Sequence, residues 1–182
     1  VKDFTEGHQK RLNFVRRLKA YFGDDIDVFG RGIHEVEDKW DAVSPYKYHI
    51  ALENSAYPHY WTEKLADAYL AGAYPIYYGC PNVGDYFPPG SHTRINIDDV
   101  EGSIRAIEEC VRERRYEASL DKIIEARNMV LDRYNIFALI ADLVKEPATR
   151  RRKVVVTAGQ PVSRVVSSGM TAKHRISFYP VG

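Results

Sequence analysis

The sequence predicts an α/β fold, a parallel sheet with flanking helices, and three observations carry that prediction. Apolar runs of strand length alternate with helical patterns along residues 8–144. Ile50, Ala51 and Leu52 form an unbroken apolar run, as in a parallel strand covered on both faces. Turn residues break the runs at Gly30 and at Gly79-Cys80-Pro81. In such sheets ligands bind in the crevice beyond the carboxyl ends of the strands.

The elements follow in order. Leu12, Val15, Leu18 and Phe22 recur at helical spacing over residues 8–22, and Gly23 stops the helix. Residues 26–29 make a short strand that ends in Gly30-Arg31-Gly32. Pro45 precedes a second strand at 48–52. Thr62 caps a helix with Leu65, Ala68 and Tyr69 on one face and Gly72 near its end. Residues 74–78 make the third strand, 85–91 an irregular loop and 95–97 a short strand. Asp98 or Asp99 caps a helix to about residue 113, with Ile104, Ile107 and Val111 inward. Residues 119–134 and 136–144 are helical. Residues 153–156 and 162–166 have strand-like composition, and Gly159-Gln160-Pro161 can turn them into a hairpin. This divides the chain into one domain, residues 1–146, and an extension, 147–182.

Composition narrows the class. With 182 residues there is room for one substantial domain, and 45% apolar with 28% charged residues is ordinary for a soluble globular protein. Cys80 and Cys110 are too few and too far apart for a metal knuckle or a disulfide framework, and fit a reducing compartment. There is no run of 18 apolar residues and no visible signal peptide, so a cytoplasmic or membrane-associated placement is expected. The first residue is Val, as in a processed or trimmed piece. The net charge of +1 hides an asymmetry: from Pro147 onward there are seven Lys or Arg and no acid, against 19 cations and 25 acids before it. Arg150, Arg151, Arg152 and Lys153 form the densest run, which can dock on an anionic membrane surface or stand as a solvated extension. No aromatic interleaving or motif supports nucleic acid.

Residues 46–64 gather the chemistry. Lys64 falls in the first turn of the Thr62-capped helix, where an ammonium and free backbone N–H groups make an anion-binding corner. Glu63 can accept hydrogen bonds from a vicinal diol such as a ribose. Asn54 and Ser55 can bond sugar hydroxyls, and Tyr60 can stack a base or line a sugar. Arg11, on the first helix, offers a second cation for a phosphate ligand, since there is no glycine-rich phosphate loop. Each residue alone also fits a structural role: a capped helix start, a bent strand end, a surface ion pair worth at most ~1 kcal/mol. Their co-location points to a nucleotide sugar.

The runs YKYHIALENS, YWTEKLADAYLAGAYPIYYG and PNVGDYFPPGSHTRINIDD, in that order and spacing, resemble the carboxyl-terminal half of family 10 glycosyltransferases, the α-1,3/4-fucosyltransferases. The resemblance spans about Arg11 to Asp99. It implies a Rossmann-like domain, the carboxyl-terminal half of a GT-B architecture, that holds GDP-fucose. It further implies that Arg11 and Lys64 neutralise the pyrophosphate, that Glu63 and Asn54 bond ribose or fucose hydroxyls, and that Tyr60 lines the nucleotide pocket. Glu53 would lie beside the donor sugar and His49 near the nucleotide. Transfer of L-fucose to an acceptor glycan would proceed with inversion and without a cofactor or metal, since no Asp-x-Asp motif is present. The catalytic base would be a carboxylate of an amino-terminal acceptor domain outside this sequence. A non-enzymatic carbohydrate- or protein-interaction module of the same descent is the alternative. Leu52, Trp61 and His92-Thr93-Arg94 depart from the family pattern.

Overall fold

The computed structural model describes residues 6–30, 33–145 and 173–178. The elements are α1 (Glu6–Phe22), β1 (Ile26–Val28), α2 (Lys39–Val43), β2 (Tyr46–Leu52), α3 (Glu63–Leu70), β3 (Tyr74–Tyr78) and β4 (Thr93–Arg94). They continue with α4 (Val100–Arg112), α5 (Arg115–Ala118), α6 (Leu120–Asp132), α7 (Ile136–Lys145) and β5 (Lys173–Phe178). The five strands form one sheet in the order β1-β5-β2-β3-β4, and every neighbouring pair is parallel.

Strand alternation sorts the β2 side chains between two cores. Tyr48, Ile50 and Leu52 join Tyr74 and Ile76 of β3 and Ile176 and Phe178 of β5, under Phe14, Val15 and Leu18 of α1 and Ile104 and Ile107 of α4. On the other face Ala51 and Tyr77 meet Leu65 and Tyr69 of α3 and Ala126 and Val130 of α6. Burial on both sides explains the unbroken apolar run. Each large apolar side chain so buried contributes about 1.5–3 kcal/mol.

The strand not foreseen in the sequence is β5. It comes from the basic extension and sits between β1 and β2, with Ile176 opposite both Ile26 and Tyr48 and Phe178 opposite both Val28 and Ile50. Without it, β1 and β2 would each present an unpaired edge in mid-sheet. Arg150–Arg152, Lys153 and the strand-like stretches 153–156 and 162–166 lie outside the described residues.

Two local expectations are corrected and one short helix is added. The short strand is Thr93–Arg94, not 95–97, because β3 offers only Ile76 and Tyr77 as partners before the chain turns toward α4. Ile97 still reaches the core, from a turn. On α4, Cys110 rather than Val111 points inward; Val111 is 41% exposed. The five-residue α2, capped by Asp38, whose side chain accepts the Trp40 N–H, is too short to show a period in sequence. Asp99 caps α4 as expected, accepting the Gly102 N–H at 2.9 Å.

Candidate functional site

The carboxyl ends of β2 and β3 and the start of α1 converge. A Cβ placed on Gly7 would sit 3.1 Å from the Asn54 carbonyl oxygen, so the first turn of α1 lies against the chain leaving β2. The same edge carries the start of α3, where Thr62 takes the extended cap conformation and its hydroxyl lies 3.4 Å from the Lys64 N–H.

Arg11 and Lys64 are both buried, at 8% and 7% exposure. Lys64 Nζ donates to Glu63 Oε1 at 3.0 Å and lies 3.9 Å from Glu53 Oε2. The Arg11 guanidinium meets His8 Nδ1 at 3.4 Å, while its Nε is buried with no hydrogen-bond partner among the described residues. Burial lowers the Arg11 pKa, against the opposing charges of Glu53, Tyr60 and Tyr78; a guanidinium nonetheless remains protonated. Burial pushes the Glu63 pKa up, but the Lys64 hydrogen bond and charge more than offset this, and it ends below the usual carboxylate range. Two cations and two carboxylates thus share one corner.

Asn54 is exposed and makes no side-chain hydrogen bond among the described residues. Tyr60 is 36% exposed, and its N–H closes a turn onto the Tyr57 carbonyl. Arg11, Asn54, Tyr60, Glu63 and Lys64 are therefore gathered at one edge with polar groups available.

Two expected residues stand elsewhere. His49 is 2% exposed in mid-strand, and its Nδ1 meets Ser177 Oγ of β5 at 2.7 Å. Burial, helped by the Lys39 charge, pushes its pKa down to about 3, so it is a neutral stitch between strands. Glu53 is fully buried: Oε1 accepts the Thr62 N–H at 2.8 Å and Oε2 the Thr62 hydroxyl at 2.7 Å. Both of its oxygens are thus turned toward the start of α3. Burial raises its pKa, and the Thr62 bonds partly oppose this.

Sequence reading missed the groups that seat these residues. Gly7, His8, Tyr77 and Gly79 touch Asn54, Arg11 and Glu53. The one signal for them was the glycine ending β3. His59, in the loop before Tyr60, holds a positive φ of 63°, with its N–H donated to Asn82 Oδ1 and its Nδ1 2.6 Å from the Tyr86 hydroxyl. No group of three or more His, Cys, Asp or Glu placed to hold a metal occurs among the described residues.

The model of glycosyltransferase family 10 (fucosyltransferase), C-terminal part, matches residues 2–112. The chain belongs to glycosyltransferase family 10. Within this family, the chain is 46% identical over 63 residues to an alpha-(1,4)-fucosyltransferase of Arabidopsis thaliana, covering 32% of the chain and 16% of that protein. It is 39% identical over 99 residues to alpha-(1,3)-fucosyltransferase 4 of Bos taurus, covering 50% and 24%. It is 36% identical over 75 residues to the alpha-(1,3)-fucosyltransferase FucT of Helicobacter pylori, covering 41% and 15%. A crystal structure of an α1,3-fucosyltransferase with GDP-fucose shares the fold at a TM-score of 0.50 and 22% identity, over 74% of this chain and 47% of that one. The matched region thus spans about half of that solved chain and a quarter or less of these curated relatives.

Proposed function

We propose that this family 10 domain binds GDP-fucose at the α1–β2–α3 edge and serves inverting transfer of L-fucose to an acceptor glycan hydroxyl. The observation that carries the reading is the Arg11 guanidinium: it is buried, its Nε has no partner among the described residues, and it shares its corner with Lys64. A buried, under-bonded cation suits a pyrophosphate, whose oxygens supply what the protein withholds. Asn54 and Glu63 would bond sugar hydroxyls, and Tyr60 would line the nucleotide pocket.

In the transfer, the acceptor oxygen forms a bond to the fucose anomeric carbon as the bond from that carbon to the diphosphate oxygen breaks. The electron pair leaves with GDP, whose charge Arg11 and Lys64 stabilise. The acceptor proton goes to a base that we assign to a separate amino-terminal acceptor domain, since Glu53 is buried and Glu63 is engaged with Lys64.

Titration calorimetry with GDP tests the reading. Binding is expected, with roughly a ten- to hundredfold loss in Lys64→Ala, the scale of one lost charge-assisted contact. No GDP binding by the folded protein refutes it. Undiminished GDP affinity in folded Lys64→Ala supports a non-enzymatic interaction module instead.

A further inference from the structure

Glu53 is a carboxyl side chain with no exposed surface, at the end of β2. Burying an ionised carboxylate is costly unless it is fully paired, and this one is paired almost wholly through a single residue. Thr62 gives it both a backbone N–H and a hydroxyl, at 2.8 and 2.7 Å. Thr62 is the cap of α3, and Glu63 and Lys64 are the two residues that follow it. The carboxylate at the end of β2 therefore grips the start of α3 at the point where Lys64 leaves the backbone.

The socket around it is built for that purpose. A Cβ on Gly79 would fall 2.4 Å from Glu53 Cγ and 2.5 Å from the Tyr77 hydroxyl, so only glycine leaves room there. The Tyr77 hydroxyl accepts the Cys80 N–H at 3.0 Å and lies 3.5 Å from Glu53 Oε1. Lys64 Nζ lies 3.9 Å from Oε2.

We propose that Glu53 is a positioning residue of the donor site: seated in the gap left by Gly79, its carboxylate clamps Thr62 and so fixes where Lys64 presents its ammonium. This rests on the GDP-binding reading above.

Calorimetry with GDP on the full chain tests it, with the thermal midpoint and far-UV circular dichroism recorded for each variant. Glu53→Gln keeps the shape but replaces one acceptor by a donor; Thr62→Val removes only the hydroxyl; Thr62→Ser keeps both donors. Glu53→Gln and Thr62→Val are each expected to weaken GDP roughly tenfold, the double variant no further than the worse single one, because the two act as one unit. Thr62→Ser should match wild type. Lower midpoints with unchanged GDP affinity would make the clamp purely structural and overturn the proposal, as would additive losses. Should Glu53→Gln fail to fold, Thr62→Val and Gly79→Ala, which displaces the carboxylate without removing it, decide the question alone: unchanged affinity in both rejects the clamp. If wild type itself binds no GDP, the donor reading fails first and takes this one with it.

Discussion

β2 and β5 lie side by side with Ile50 opposite Phe178, and the described part of β5 is as buried as β2, yet they serve the molecule differently. β2 runs straight into Glu53 and Asn54 at the ligand edge. β5 spends its one described polar side chain, Ser177, on His49, inside the sheet. The difference teaches that the site has two supports. One is the covalent continuity of β2, its loop and α3. The other is a strand that keeps β1 and β2 in one sheet.

Removing the β5 anchor should show the largest effect. Phe178→Ala is expected to lower stability by about 3–5 kcal/mol, similar to other buried Phe truncations and at least equal to Ile50→Ala on β2. Urea unfolding of both variants checks this, and an unchanged midpoint in Phe178→Ala would break the equivalence of the two strands.

The His49–Ser177 link gives a smaller, pH-dependent effect. Burial holds the folded-state pKa of His49 at about 3, below its ordinary value of 6.5, so the unfolded chain binds its proton first. Its contribution is therefore intact above about pH 6.5 and is lost as pH falls from there toward 3. Between pH 7 and 5 wild type should lose about 2 kcal/mol more than His49→Gln. Parallel urea midpoints for the two proteins across that range would remove His49 from this account.

The smallest effect is expected on α7, which neither strand supports. Ile136, Phe137, Leu143 and Val144 are each at least 65% exposed, and no α7 residue is buried. Phe137→Gln and Leu143→Gln should shift stability by no more than about 0.5 kcal/mol. A larger loss by thermal denaturation would mean that something covers this helix.

Most of the frame was legible in the sequence. The β2 run was readable because both of its faces are buried, and α3 because Thr62 precedes a periodic helix. The cluster Arg11, Asn54, Tyr60, Glu63, Lys64 could be named because polar groups are scarce at strand ends unless something uses them. The burial of His49 was not legible because a histidine in an apolar run shows no partner in sequence, and its partner lies 128 positions away. The burial of Glu53 was not legible because adjacency to Asn54 suggested the surface, whereas the chain leaving β2 turns it inward to Thr62.

The sequence by itself determined the parallel α/β class, the capped start of α3 and the two cations that suit a diphosphate. Those depend on local periodicity, cap chemistry and residue type, which neighbours along the chain specify. Only the tertiary structure decided that Lys173–Phe178 fills the middle of the sheet, that Gly79 makes room for Glu53, and that Arg11 Nε has no partner among the described residues. Each of these depends on which surfaces meet in space, and burial and hydrogen-bond satisfaction exist only after the chain has closed on itself.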